Sequence, residues 1–189
     1  MKKIVIVGLG ALGSHAALAL RNIGSLRLVD FDKVEQKNTL AQFHTKQSLR
    51  RNKAQALAQV LQGMWGVRAE AMPHKLTEPN AATFLAGADI VLDCTDNIAA
   101  RTAIKAFCDA NDIPLLHAAM SADGLFAQIT WTESFEADPE TGDGATCEDG
   151  VNLPFHVLVG GFVAQAVKTF FLQEKRQNFS LTPSGVMRV

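Results

Sequence analysis

The first thirteen residues, "MKKIVIVGLGALG" (residues 1–13), decide which fold the chain adopts. A β-branched apolar run, Lys3–Val7, leads directly into three glycines, Gly8, Gly10 and Gly13, and then into residues rich in Ala and Leu. Because glycine has no Cβ, this spacing permits a tight strand-to-helix turn. It also lets backbone N–H groups at the helix N-terminus approach a phosphate. The pattern predicts a nucleotide-binding turn, although glycines that only let the helix pack on the sheet would look the same.

Strand and helix patterns alternate along the rest of the chain. We expect helices at residues 11–22, 52–62, 79–85, 99–110 and 155–172, and strands at residues 3–7, 26–29, 67–72, 88–96, 114–118 and 126–132. Such alternation predicts an α/β fold with a Rossmann-like, doubly wound, mostly parallel sheet. The polar and apolar alternation of residues 126–132 predicts an antiparallel addition near the C-terminal part, and the last residues show no clear pattern.

The length and the acidic stretch at residues 134–150 bound the domain organisation. A chain of 189 residues is long enough for one domain with a substantial core, so we expect a single domain over residues 1–189. Residues 134–150 are rich in acids and glycines and contain Pro139, a composition that buries little apolar surface. We expect a mobile loop or crossover there.

Charge and hydropathy exclude several classes of function. The 18 Lys and Arg residues nearly balance the 19 Asp and Glu residues, so there is no basic field of the kind that attracts nucleic acid or a membrane surface. The most apolar stretch, residues 153–172, is interrupted by His156, Gln165 and Lys168, which argues against a membrane span. We expect a soluble protein with no nucleic acid or membrane partner.

The three cysteines, Cys94, Cys108 and Cys147, form no C-x-x-C pair. This disfavours a disulfide framework and a structural zinc site, so we expect no zinc and a cytoplasmic location. Cys94 and Cys108 lie in apolar elements and are expected to be small buried residues.

The segment "LVDFDKVEQKNTLAQF" (residues 28–43) equips the end of the second strand with ligand-binding side chains. Asp30 follows Gly13 by about 17 residues, near the place where a carboxylate accepts hydrogen bonds from ribose hydroxyls. Asp32 follows it closely, and Asn38 and Gln42 add polar groups. The pattern suits NAD as well as ATP, and Asp30 and Asp32 could instead cap a turn or face solvent.

Together with "RRNKAQAL" and "DCTDNIAAR", this segment resembles the ThiF, MoeB and HesA family, relatives of the ubiquitin-activating enzymes. The resemblance runs from Gly8 to Arg101 and resumes at "CEDGVNLPFHVLVGGFVAQAVKTF". It implies an ATP- and Mg²⁺-dependent adenylyltransferase. The substrate would be the C-terminal carboxylate of a small β-grasp protein, either ubiquitin-like or a sulfur carrier. Relatives are commonly homodimers.

The resemblance also implies roles for individual residues. It implies that the three glycines and Asp30 bind ATP. It also implies that Asn38 and Lys53 contact the triphosphate and that Asp96 binds Mg²⁺. Two of these residues have simpler alternatives. Lys53 could be an ordinary solvated lysine. Asp96 could cap the following helix, although Asn97 could fill the same capping role.

Ala41 departs from the family pattern. The family's polar segment reads N-x-x-R-Q, and here "NTLAQ" places Ala41 where the arginine stands. Arg21, Arg50 and Arg51 are candidate substitutes. The substitution motivates an alternative hypothesis, a catalytically weak or inactive nucleotide-binding partner subunit; an NAD-dependent oxidoreductase is a third.

Cys147 lies where some relatives carry a reactive cysteine that joins to the activated carrier. Its neighbours Glu148 and Asp149 are expected to raise the pKa of the thiol and so disfavour the thiolate. A covalent role for Cys147 is retained as a hypothesis.

Overall fold

An eight-stranded mixed sheet organises the computed structural model, which describes residues 1–132 and 150–189. The strands are β1 (Lys3–Val7), β2 (Ser25–Val29), β3 (Glu70–Met72), β4 (Ile90–Asp93), β5 (Leu115–Met120), β6 (Ala127–Trp131), β7 (Phe179–Thr182) and β8 (Gly185–Arg188). The helices are α1 (Ala11–Leu20), α2 (Asn38–Ala41), α3 (Lys53–Trp65), α4 (Ala81–Leu85), α5 (Ile98–Ala110) and α6 (Leu153–Gln173), with short 3₁₀ turns at Lys46–Ser48 and Glu78–Asn80.

The strand order is β3-β2-β1-β4-β5-β6-β7-β8. The first five strands in this order are parallel, and β6, β7 and β8 extend the sheet with antiparallel pairings. The predicted α/β class, with a mostly parallel sheet and antiparallel additions, is confirmed.

Two apolar layers cover the sheet. Leu12 of α1, Leu57 of α3 and Val163 of α6 belong to one cluster, and Phe84 of α4 and Ile104 of α5 belong to the other. Each fully buried aliphatic side chain of this size contributes roughly 1.5–3 kcal/mol of transfer free energy. The helices therefore divide between the two faces, as a doubly wound arrangement requires.

The C-terminal residues form a hairpin that the sequence did not reveal. β7 and β8 pair antiparallel, and Phe179 and Leu181 are buried under α6, with the Phe179 and Phe162 rings 5.3 Å apart. The expectation of a patternless tail is therefore wrong. Only two inward-facing residues alternate with polar ones in β7, and β8 is exposed along its whole length, so the period of two is too short to recognise.

Among the described residues α6 is the one helix long and apolar enough to cross a membrane. Half of its most apolar stretch is buried inside the fold. Its contact with α1 is so close that a Cβ added at Gly160 would lie 2.6 Å from the His15 Cβ.

The register of the central strands determines where a site can form. Val7 of β1 is aligned with Val29 of β2 on one side and with Asp93 of β4 on the other. The three strands therefore end at the same edge, and the residues that follow them lie side by side. Ligands in open α/β sheets bind at this carboxyl edge.

Candidate functional site

The glycine loop, residues 8–13, combines two glycines that the fold requires with one that it does not. Gly8 has φ of +86°, and a Cβ added there would lie 2.7 Å from the Cys94 carbonyl oxygen. A Cβ at Gly13 would lie 1.9 Å from the Gly8 carbonyl oxygen. At Gly10 the nearest atom, Gln42 Nε2, would be 3.9 Å away. Packing within the chain therefore leaves room at Gly10 that an approaching ligand can use.

The N-terminus of α1 offers backbone donors beside that room. Gly10 caps the helix without a side-chain hydrogen bond, and no acidic residue lies in the first turn. The first N–H groups of a helix have no intrahelical partner, and the helix dipole favours an anion there. Ser14 Oγ donates to the Gly10 carbonyl at 2.6 Å and accepts from the Phe43 N–H at 2.9 Å, which fixes the loop against the segment after α2.

Asp30 lies beneath the glycine loop rather than at its open surface. It is 8% exposed, and its two oxygens accept hydrogen bonds from the Leu9 N–H at 2.7 Å and the Asp32 N–H at 2.8 Å. Burial raises the pKa of Asp30, and the charge of Lys53 opposes that rise. Turn capping, the simpler alternative, is thus observed. Each carboxylate oxygen can still accept a second hydrogen bond, such as one from a ribose hydroxyl.

Lys53 is held at the start of α3 and is not an ordinary solvated lysine. It is 7% exposed, its Nζ lies 3.1 Å from Asp32 Oδ2, and its backbone N–H donates to the Asp32 carbonyl at 2.8 Å. Lys53 is therefore a positive charge held in a fixed position near the glycine loop, because it is buried and paired with one half-exposed carboxylate.

Asn52 joins α3 to the end of β2, a role that was missed from the sequence. Its Oδ1 caps α3 by accepting from the Gln55 N–H at 3.1 Å, and its Nδ2 donates to the carbonyls of Asp30 at 2.8 Å and Asp32 at 3.1 Å. An Asn immediately before a helical pattern is a capping signal. The contacts to the Asp30 and Asp32 carbonyls have no local signal.

The α2 segment places its polar side chains differently from expectation. Asn38 is buried, and its Oδ1 accepts from the Glu35 N–H at 2.8 Å, so its carbonyl end closes a turn. Gln42 has a buried Oε1 with no hydrogen-bond partner among residues 1–132 and 150–189. Ala41, at the position where the family has an arginine, is fully buried.

Three buried histidines fix the backbone around the loop and α2. His15 Nε2 and His156 Nδ1 donate to the Ala41 carbonyl at 3.2 and 3.4 Å, and His44 Nε2 donates to the Leu9 carbonyl at 2.9 Å. Burial lowers the pKa of His15 and lowers that of His44 to about 4. His15 and His44 therefore act as neutral donors at physiological pH. The histidines show no metal-ligand spacing in the sequence, and their contacts to the backbone carry no local signal.

A buried network orients the turn after β4. His117 Nδ1 lies 2.9 Å from Asp93 Oδ2, and Thr95 Oγ1 donates to Asp93 Oδ1 at 2.6 Å. Arg101 Nε donates to the Thr95 carbonyl at 3.0 Å and lies 3.5 Å from Asp93 Oδ2. This network holds in place the backbone that presents Asp96.

Asp96 is exposed, and Asn97, not Asp96, caps α5. Asn97 Oδ1 accepts from the Ala100 N–H at 3.0 Å at the start of α5. No group of three or more metal-ligating side chains is found in the described residues. Mg²⁺ commonly binds to one or two carboxylates, substrate phosphates and water, so a single exposed carboxylate beside an anion site fits that ion.

The structure brings most predicted site residues together at one sheet edge. The glycine loop, Asp30, Asp32, Lys53 and Asp96 follow β1, β2 and β4 or begin the helices next to them. Cys147 and the expected loop at 134–150 lie outside the described residues, apart from Gly150. Of the other two cysteines Cys108 is buried, as expected, and Cys94 is partly buried; burial raises the pKa of both thiols.

The three candidate substitute arginines lie in two different environments. Arg21 donates to the Leu18 carbonyl at 2.8 Å, and its guanidinium lies over Trp65 at 4.9 Å. Arg50 and Arg51 are exposed on the turn before α3.

Two named relatives are similar to this chain in sequence. The chain is similar to the sulfur carrier protein ThiS adenylyltransferase of Escherichia coli K12, with 38% identity over 131 residues, 67% of this chain and 51% of that protein. It is 32% identical over 185 residues to the molybdopterin-synthase adenylyltransferase of the same organism, covering 88% of this chain and 72% of that protein. The chain thus spans about half the length of the first relative.

Solved structures show the same fold. E. coli MccB with ATP superposes with a TM-score of 0.79 at 15% identity, covering 100% of this chain and 63% of that one. The E. coli tRNA N6-threonylcarbamoyladenosine dehydratase TcdA in complex with AMP gives 0.70 at 22% identity, covering 92% and 88%. At these identities the likeness concerns the fold alone. The ThiF family model matches residues 1–185, and the chain therefore belongs to the ThiF family.

Proposed function

We propose that this protein is an ATP-dependent adenylyltransferase that activates the C-terminal carboxylate of a small ubiquitin-like or sulfur-carrier protein. The observation that carries the proposal is the meeting of the glycine loop, the buried Lys53 and the exposed Asp96 at one sheet edge. Both sequence relatives are named adenylyltransferases, one of them for a sulfur carrier protein. Their activity supports the same assignment here.

The chemistry needs charge stabilisation more than proton transfer. A carboxylate oxygen of the carrier attacks the α-phosphorus of ATP, the bond from that phosphorus to the bridging oxygen breaks, and pyrophosphate leaves with the bonding electron pair. The nucleophile is already ionised at neutral pH, so no general base is required. The ammonium of Lys53 and the N–H groups of α1 lower the barrier by stabilising the negative charges that come together.

Asp96 is the residue that would hold Mg²⁺. When bound, the ion would offset phosphate charge during the displacement. Asp93, Thr95 and Arg101 hold the backbone before Asp96, so the carboxylate is presented without being consumed as a helix cap.

The partner and assembly complete the proposal. The substrate protein would be a β-grasp carrier, and the protein would be a cytoplasmic homodimer with a single domain and no nucleic acid or membrane partner. A glycine pair in an apolar helix, such as Gly160 and Gly161, could permit close packing against a second subunit. Gly160 instead packs against α1 of its own chain, whereas Gly161 is exposed with open space around it. The exposed face of α6 near Gly161, with Val157 and Leu158, is the candidate subunit contact.

The two alternatives make different predictions. A nucleotide-binding partner subunit would bind ATP without turnover. An oxidoreductase would bind NAD in preference to ATP. The names of the relatives favour ATP over NAD. Turnover of ATP distinguishes an active enzyme from an inactive nucleotide-binding subunit.

ATP–pyrophosphate exchange with candidate carriers tests the proposal. The variants are Lys53→Ala and Asp96→Ala, and the controls are Lys105→Ala and Asp109→Ala, which break an exposed ion pair on α5. We expect exchange in the wild type, a loss of about 10²-fold or more in both site variants, and little change in the controls. Equal exchange in all five proteins, or none with any carrier while ATP is bound, would contradict the proposal.

A further inference from the structure

A small polar cavity lies beside Lys53, on the side of the segment that joins β2 to α2. Its volume is about 150 Å³, enough for phosphate groups. It is lined by Asp32, Lys33, Glu35, Lys37, Asn38 and Lys53. Half of the lining residues are lysines, and two of them, Lys33 and Lys37, have no part in the site described above.

Backbone hydrogen bonds hold this cavity in shape. Lys33 forms an isolated antiparallel bridge with Asn52, and the Val34 N–H donates to the Arg51 carbonyl at 2.8 Å. These contacts fix the segment after β2 against the start of α3. The hydrogen bond to Asn38 Oδ1 closes the turn that contains Lys37. These backbone contacts therefore bring Lys53, which is distant in sequence, to the segment that carries Lys33 and Lys37.

The cavity carries a net positive charge that an anion can use. Three lysines and two carboxylates line it, and Lys53 is paired with Asp32 at 3.1 Å. Lys37 is 3.5 Å from Glu35, with side chains 49% and 63% exposed. Lys33 makes no ion pair with a carboxylate in the described parts of the chain. An exposed pair of this kind contributes little stability, so a polyphosphate can take the place of Glu35.

We propose that Lys33 and Lys37, together with Lys53, bind the two terminal phosphates of ATP and hold the pyrophosphate as it leaves. Lysine binds phosphate as a point charge on a flexible stem, which suits an anion whose charge changes during the reaction. The inference rests on the nucleotide-binding part of the proposed function. It also assigns a source of positive charge near the triphosphate, for which Ala41 supplies none and Arg21 is bound to other groups.

Calorimetric titration with ATP, pyrophosphate and AMP tests the assignment. The variants are Lys33→Met, Lys37→Met and the double variant, and Lys105→Met is the control from the exposed pair on α5. We expect each single variant to weaken ATP and pyrophosphate binding about fivefold and the double variant about 20-fold or more. The affinity for AMP, which lacks the terminal phosphates, should stay within about twofold.

Glu35→Gln provides a test of opposite sign. Removing this carboxylate breaks its ion pair with Lys37 and removes a repulsion on the phosphates, so ATP should bind about threefold more tightly while AMP is unaffected. The backbone N–H of Glu35, which donates to Asn38, is retained. Asp109→Asn on α5 is the matched control and should change neither affinity.

The outcomes separate this inference from the proposed function. If the double variant binds ATP as tightly as the control, or loses ATP and AMP affinity equally, the lysine assignment is overturned. If the lysines contribute to ATP binding but no carrier supports exchange, the assignment stands and the adenylyltransferase proposal fails. A wild-type protein that binds no ATP would overturn both.

Discussion

The glycine loop, residues 8–13, and the polar segment, residues 32–38, lie near each other but are specified in different ways. The loop is determined by contacts within the chain, since side chains at Gly8 and Gly13 would meet backbone atoms at 2.7 and 1.9 Å. The polar segment is held by its backbone, and five of its seven side chains line an open cavity. The fold therefore depends on the first region, and we expect ligand binding to depend on the second region and on Gly10.

The largest effect is expected where the loop has no room. Gly13→Ala places a Cβ against the backbone of Gly8, which cannot move without disrupting β1 and α1, so the free energy of unfolding should fall by about 4 kcal/mol or more. Denaturant unfolding measures this. Gly63→Ala in α3, where nothing lies within 4 Å of the added Cβ, should instead stabilise by about 0.5–1 kcal/mol. Similar stabilities for the two variants would show that the loop is not sterically determined.

A pH effect of intermediate size is expected from His44, which donates to the loop at Leu9. Burial lowers the pKa of His44 from 6.5 to about 4. Between these two pH values the unfolded chain binds a proton at His44 that the folded chain does not bind. The contribution of neutral His44 to the free energy of unfolding is complete above pH 6.5. It is lost as pH falls towards about 4, by roughly 3 kcal/mol.

The comparison of wild type with His44→Asn isolates this effect. Unfolding free energies at pH 7 and pH 4.5 should differ more in the wild type than in the variant. The raised pKa of Asp30 has the opposite sign, since its protonation favours the folded state, but it is present in both proteins and cancels. Equal pH dependence in the two proteins would refute the assignment of His44 as a neutral donor to the loop.

The smallest effect on stability is expected at Gly10, where ligand binding should change instead. Gly10→Ala meets nothing closer than Gln42 Nε2 at 3.9 Å, so the unfolding free energy should change by about 1 kcal/mol or less. The added methyl group occupies space that a phosphate would approach, and ATP affinity should fall about tenfold. Calorimetry on the same preparation measures this. Unchanged ATP affinity would place the phosphates elsewhere.

The same contrast explains what could be predicted from the sequence. The strand, the glycines and Asp30 lie within about 30 residues and follow local rules, so the turn from β1 into α1 and the fold class were predicted correctly. The roles of His44, His117 and Asn52 arise from contacts 35, 24 and 22 residues away in the chain and carry no local pattern. The β7–β8 hairpin was missed because so few of its side chains face inward.

The central claim, that the sheet edge activates a carboxylate with ATP, is tested most directly by changing only the nucleophile. A carrier that supports exchange is prepared with a free and with an amidated C-terminus, and incorporation of labelled pyrophosphate into ATP is measured with the wild-type protein. The account predicts incorporation with the free carboxylate and background levels with the amide. Equal incorporation with both carriers would contradict carboxylate activation.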